Sequence, residues 1–208
     1  MNAIRQRDPR DMSQFKTLRK YTVEQRLELV QNYTKFVFAR HPYHRLDAVY
    51  YDRLRYDPKI PDNFQKVIGT DIIRRYRPAK YTQPESLRLG HDVRFSELVQ
   101  FLTDQTNADR LSNVHFAPVS HLCHPCLMNY TFIGKVENLP EDASMILKEA
   151  ANVTLPFRFP RPDKPSKTAE RLSMDMRLLS DDQRAALYRE YQQDFELFDY
   201  DKDDWKRL

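Results

Sequence analysis

The stretch Leu122–Ala143, LCHPCLMNYTFIGKVENLPEDA, constrains the fold more than any other part of the chain, because it fixes an order of elements. Tyr130–Val136, YTFIGKV, is aromatic and β-branched, the composition of a buried strand, and Gly134 within it predicts a bend or a close backbone approach. Pro140 sets a rigid first helical turn, and Glu141 and Asp142 place carboxylates where a helix N-terminus favours them. Strand, turn and helix follow in that order.

The same stretch holds the only two cysteines, Cys123 and Cys126, at the spacing of a redox pair or of half a zinc site. A redox pair wants its first cysteine at a helix N-terminus after a strand, whereas an apolar strand-like run follows this one. Zinc needs four ligands; His115, His121 and His124 lie near in sequence, but no second Cys/His pair stands at a standard spacing. A structural role, as a disulfide or as buried thiols pinning a loop to the core, is the third reading. No metal is expected.

A second constellation lies upstream. Lys35–Ala39, KFVFA, reads as a short buried strand ending in Arg40-His41-Pro42, and Tyr43, Leu46, Tyr50 and Leu54 give the apolar face of a helix. In open α/β sheets ligands sit beyond the carboxyl ends of strands, and a helix N-terminus there offers backbone donors to an anion. Arg40 would add a planar, permanently charged fork that matches phosphate geometry. A surface arginine closing a strand is the plainer alternative.

Length and composition fit one α/β domain, since 208 residues with 40% hydrophobic and 31% charged can bury one sizeable core. Only 3 glycines occur, so neither a GxxxxGK nor a GxGxxG phosphate loop is supported, and the corresponding nucleotide-hydrolysing and dinucleotide-binding classes are set aside. No run of about 18 apolar residues is present, and the polar start lacks a signal-peptide core. Three N-x-T triplets begin at Asn32, Asn129 and Asn152.

A formal charge of +4 points to acidic partners. Basic residues gather at Arg74, Arg75, Arg77 and Lys80, and again at Arg158, Arg161, Lys164, Lys167 and Arg171. Tyr76 alone among the first group is no stacking platform, so nucleic acid is not expected. Thr22–Gln25 and Ser180–Gln183 fit the capping-box pattern, and the second opens a helix that would bury Leu187, Tyr188, Tyr191 and Phe195. Leu155–Pro165, with four prolines, reads as an extended segment.

FVFARHPYHRLDAVYYDRL, IIRRYR at Ile72–Arg77, HFAP at His115–Pro118, the CHPC stretch and YREYQQDFELFDYD at Tyr188–Asp201 occur in one order. This resembles the Golgi carbohydrate sulfotransferases of the chondroitin 4-sulfotransferase and HNK-1 sulfotransferase type, over roughly Tyr33 to Asp201. The resemblance implies a parallel sheet flanked by helices, and transfer of a sulfuryl group from 3′-phosphoadenosine-5′-phosphosulfate to a glycan hydroxyl, on a chondroitin-like or other acidic polysaccharide. It implies a Golgi membrane protein with a luminal catalytic domain. Arg40 would bind the 3′-phosphate. His115, in an element similar to the family's His-aromatic-x-Pro, would be the base that deprotonates the acceptor, a role suited to histidine near neutral pH.

Two departures qualify that reading. The family motif runs approximately R-[DNE]-P-F-x-R-L-x-S-A-Y, and its serine, a second 3′-phosphate contact, is Ala48 here. One lost hydrogen bond to a charged phosphate is worth roughly 1.5 to 3 kcal/mol, or about 10- to 150-fold in affinity. The family's P-K-x-x-x-T-x-W-type 5′-phosphosulfate loop has no counterpart in these residues, whose single tryptophan is Trp205. Each missing donor of that kind costs on the order of 10² to 10³ in rate.

The expectation is therefore a sulfotransferase-type domain incomplete at its N-terminus, with neither loop nor membrane anchor, and nearly inactive by itself. A charged segment would span 1–21, the partial domain 22–201 and a tail 202–208. A non-catalytic module that keeps the fold and binds polyanionic glycans is the second reading.

Overall fold

The structure, a computed structural model, describes residues 16–55, 63–152 and 167–208. Most of the charged segment 1–21 and all of the proline-rich stretch 155–165 lie outside the described residues, as do Arg158, Arg161 and Lys164 of the second basic cluster.

Helix α1 (Val23–Asn32) starts at the predicted capping box: Thr22 Oγ1 accepts the Gln25 N–H at 3.3 Å, and Gln25 Oε1 accepts the Thr22 N–H at 3.1 Å. Strand β1 (Phe36–Ala39) leads through Arg40 and His41 into α2 (Pro42–Val49), which continues as one π-helical turn, Tyr50–Leu54. The helices α3 (Thr70–Tyr76), α4 (Pro84–Leu89), α5 (Phe95–Thr103), α6 (Val119–Cys123) and α7 (Pro125–Met128) carry the chain to β2 (Phe132–Lys135). Three helices follow: α8 (Leu139–Ala151), α9 (Lys167–Arg177) and α10 (Asp181–Leu197).

β1 and β2 pair in parallel with Phe36 opposite Phe132 and Ala39 opposite Lys135, so both carboxyl ends fall on one side. Gly134 faces Phe38, and a Cβ on Gly134 would stand 2.6 Å from the Phe38 ring, so the predicted close approach is to an aromatic side chain. Lys135 at the end of β2 donates its backbone N–H to Asp142 Oδ2 at 2.7 Å, which locks the strand to the first turn of α8. The fold is α/β with a small parallel sheet and many helices, as the sequence implies. β2 is more open than predicted, however: only Gly134 is buried, and Ile133 is 51% exposed.

The core lies mostly between helices. Tyr43, Leu46, Tyr50 and Leu54 of the α2 face meet Ile72 and Ile73, Leu98 and Leu102, Leu172 and Met176, and Leu187, Tyr191 and Phe195. Of the residues predicted to be buried on α10, Tyr188 is the one left partly exposed. Residues 202–208, set apart on sequence as a tail, include the buried Trp205, which joins the same core.

Arg77 is not the surface cation its sequence neighbours suggest. Its guanidinium is buried, donating to Glu97 Oε1 and Oε2 and to Asp92 Oδ2 at 2.8 Å each and to the Asp92 carbonyl at 2.7 Å. These partners join the end of α3 to the start of α5 and hold the Arg77 pKa well above its ordinary value, the Glu97 hydrogen bonds being the largest cause. Arg75 is paired with Asp71 at 2.9 Å, so Arg74 and Lys80 are the two exposed cations of the first basic cluster without a carboxylate partner among the described residues.

Candidate functional site

Arg40 follows the last residue of β1, half-buried, at the carboxyl end of the parallel pair. Among the described residues its guanidinium has no hydrogen-bond or ion-pair partner. Its charge acts on three neighbours, favouring ionised Asp47 and Tyr200 and disfavouring protonated His44. A half-buried planar cation with no carboxylate of its own is suited to a phosphate.

The backbone around it is fixed by a polar cluster. The His41 N–H donates to Glu137 Oε1 at 2.9 Å, and Tyr200 Oη–H donates to Glu137 Oε2 at 2.9 Å. His41 Nδ1 accepts the Tyr43 N–H at 3.2 Å and so caps α2. That leaves Nε2 to carry the proton, which it donates to the Asp201 carbonyl at 3.1 Å. His41, at the position where the family pattern has Asp, Asn or Glu, is thus the N-cap of α2. Burial pushes its pKa down, and burial followed by the His41 charge does the same to His44, whose Nε2 lies 3.9 Å from Asp204.

This arrangement corrects one expectation. The start of α2 offers few backbone donors to an anion, because Pro42 has none and the His41 and Tyr43 amides are already taken by Glu137 and by His41 itself. Arg40 is thus the chief cationic group of the turn. Lys135, ending β2 opposite Ala39, adds a second cation, held by the Asp199 carbonyl at 2.7 Å with its Nζ 4.6 Å from the Tyr200 ring centroid.

Asp47, next to the position where the family has serine, is fully buried, and neither carboxylate oxygen has a hydrogen-bond partner among the described residues. Burial lifts its pKa from the ordinary 3.8 to about 7, against the opposing pull of Arg171 and Arg40. At position 48 an alanine methyl replaces the hydroxyl.

His115 is half-buried in the loop before α6, its ring edge-on to Phe64 with centroids 5.6 Å apart. Three residues fix that loop. Arg45, the second arginine of the family pattern, donates to the Ala117 and Val114 carbonyls at 2.6 and 2.7 Å. Tyr191 donates its hydroxyl to the Phe116 carbonyl at 2.7 Å, and buried Asp194 accepts the Val119 and Ser120 amides at 2.7 and 2.8 Å. No described contact joins His115 to Arg40; both are tied to α2, from different turns.

The cysteines correct another expectation. Cys123 ends α6, Cys126 lies in α7, and His124 between them is left-handed with φ 46°, breaking the helix. Both thiols are free and Cys126 is exposed, so only half-buried Cys123 packs against core residues, the small cluster of Ala39, Val119 and Phe198. Burial raises the Cys123 pKa, opposite to what a reactive thiol needs. Among the described residues no three His, Cys, Asp or Glu side chains converge as metal ligands.

Sequence reading missed Glu137, Tyr200, Asp194 and Arg45. A signal for Glu137 existed: in a parallel pair, the residue two past the end of β2 stands beside the residue two past the end of β1, which is His41.

An arginine without a hydrogen-bond or ion-pair partner among the described residues thus stands at the carboxyl end of a parallel strand, before a capped helix, the side on which open α/β sheets place their ligands. The sulfotransferase family matches residues 2–201, and this chain belongs to it. Carbohydrate sulfotransferase 11 of Rattus norvegicus is 35% identical over 195 residues, covering 93% of this chain and 54% of the relative. Carbohydrate sulfotransferase 8 of Homo sapiens is 34% identical over 181 residues, 85% of this chain and 41% of the relative. Carbohydrate sulfotransferase 14 of Homo sapiens is 34% identical over 177 residues, 82% and 43% respectively. The chain thus spans about half the length of the curated relatives it matches. No solved structure matches it.

Proposed function

We propose that this protein is a carbohydrate sulfotransferase whose donor is 3′-phosphoadenosine-5′-phosphosulfate, with Arg40 as the ligand of the 3′-phosphate. The guanidinium of Arg40 at the carboxyl end of β1, without a hydrogen-bond or ion-pair partner among the described residues, carries the reading. When bound, the donor supplies the sulfuryl group. The chain's own contribution is positioning: the Glu137–His41–Tyr200 cluster holds the Arg40 backbone, and burial keeps Arg40 from full hydration, so that its charge acts strongly on a bound anion.

His115 is the candidate base for the acceptor hydroxyl. Its half-exposed ring leaves room for a partner, and the clamp from Arg45, Tyr191 and Asp194 would fix it in place. The acceptor is a glycan, chondroitin-like or otherwise acidic. Family membership supports a Golgi lumen, and Asn32 and Asn129, both exposed, are available for N-glycosylation there. No described helix is long and apolar enough to cross a membrane. The partition into 1–21, 22–201 and 202–208 is proposed as the domain plan, with the last segment packed onto the domain through Trp205.

The test is transfer of labelled sulfate from the donor to desulfated chondroitin by the natural full-length protein. Incorporation that Arg40→Ala lowers by at least tenfold, and that His115→Ala abolishes with donor affinity intact, is the expected result. Incorporation indifferent to Arg40 would overturn the reading.

A further inference from the structure

Glu97 and Asp194, two of the buried carboxylates, are satisfied: Arg77 holds the first, and the Val119 and Ser120 amides hold the second. Asp47 differs. It is 0% exposed, and among the described residues neither of its oxygens has a hydrogen-bond partner. A carboxyl buried without donors is held more easily neutral than charged.

Its charged and titratable neighbours come from each element packed against α2. The turn before the helix supplies Arg40, and α9 supplies Arg171 and Asp175. The helix itself and its π-helical turn supply His44, Tyr50, Tyr51 and Asp52; Tyr50 gives its hydroxyl to the Val93 carbonyl and Tyr51 gives its own to Asp175. From α10, Leu187 and Phe195 join the shared core, and Tyr191 is engaged by the Phe116 carbonyl. Asp204 of the C-terminal turn is paired with Arg207. The two arginines favour an ionised Asp47, whereas burial, Asp175 and Asp52 oppose it.

Arg40 connects this carboxyl to the anion site. From the N-cap His41 to Asp47 the helix rises about 9 Å, which places the carboxyl on the order of 10 Å from a group held by Arg40. Asp47 is out of water and Arg40 is half-buried, so salt screens the pair weakly. At an effective dielectric of about 20, one negative charge at that separation costs a bound anion roughly tenfold in affinity.

We propose that Asp47 is a proton-operated modulator of the Arg40 site: the neutral carboxyl leaves the full charge of Arg40 to the donor's phosphate, and the ionised carboxylate repels it. The proposal rests on the donor reading of Arg40 and adds the regulation of that site by protons. Burial lifts the Asp47 pKa to about 7, so affinity is highest below that value and falls as pH rises through it. By reciprocity, an anion on Arg40 raises the Asp47 pKa further, and binding takes up protons.

Calorimetry of the 208-residue chain and of Asp47→Asn with adenosine 3′,5′-bisphosphate, from about pH 5.5 to about 8.5, is the test. The ligand's phosphates, His41 and His44 titrate in both proteins, so the ratio of the two affinities isolates Asp47. The expected result is equal affinity at the acid end and roughly tenfold tighter binding by Asp47→Asn at the alkaline end. The wild type alone gives a second readout, in buffers of different ionisation heat near pH 8. Burial holds both histidines below their ordinary 6.5, so they are neutral there, and the phosphates are fully ionised. Proton uptake on binding then belongs to Asp47.

A ratio that stays constant with pH, or binding near pH 8 without proton uptake, would overturn the modulator and leave the donor reading standing. No binding to the folded wild-type chain at any pH would overturn the donor reading and the modulator with it.

Discussion

Glu137 accepts the backbone N–H of His41 at 2.9 Å, joining the residue after Arg40 to the segment that follows β2. With its other oxygen it accepts the Tyr200 hydroxyl, so one exposed carboxylate ties both strand ends to the C-terminal segment. Glu137→Ala should leave the core intact and loosen the Arg40 backbone. Adenosine 3′,5′-bisphosphate affinity should fall by about tenfold, near the cost of misplacing one charged contact. Glu137→Gln, which keeps an acceptor oxygen, should recover part of it, and calorimetry on the three proteins checks this.

Asp47 makes stability depend on pH in an unusual direction. Its pKa is raised from 3.8 to about 7 in the folded protein, so the folded state holds an extra proton between those values. Its contribution is fully present below about pH 4 and is lost as pH rises through 7. Asp47→Asn removes that loss and should exceed wild type by on the order of 3 kcal/mol above pH 8. The difference should shrink toward pH 4, as urea unfolding across the range would show.

His41 acts with the opposite sign. Burial lowers its pKa below the ordinary 6.5, so the stability it contributes is present above 6.5 and is lost as pH falls through the folded value. Protonation would also destroy the Nδ1 acceptor that caps α2. His41→Asn keeps a cap acceptor that does not titrate. It should lie within about 1 kcal/mol of wild type at pH 7.5 and lose less on acidification, the residual loss belonging to His44.

Arg77 is the strongest single stability test. Its removal leaves Glu97 buried and without its cation. Arg77→Ala should cost roughly 3 to 5 kcal/mol, read as a lower midpoint in urea with little change in slope. The exposed neighbour Arg74 should tolerate alanine within about 0.5 kcal/mol.

Local features were readable from the chain and long-range ones were not. The two capping boxes form as predicted because each is settled by four consecutive residues. The α2 face and the strand–turn–helix order after Tyr130 follow from periodicity and composition. Glu137 and Asp194 escaped because each acts on backbone amides far away in sequence, at separations of 96 and 75 residues. Arg77 was read as surface charge because its partners, Asp92 and Glu97, meet it only when α3 and α5 pack. The cysteine pair was read as a core pin, whereas left-handed His124 splits the segment into two short helices and turns Cys126 outward.

Calorimetric titration of the 208-residue chain with adenosine 3′,5′-bisphosphate, beside Arg40→Ala, tests the central claim most directly. The account predicts a dissociation constant of about micromolar order for the wild type, about −8 kcal/mol, and at least tenfold weaker binding for the variant. Equal affinities in the two proteins, or no binding to a wild-type chain shown by circular dichroism to be folded, would contradict it.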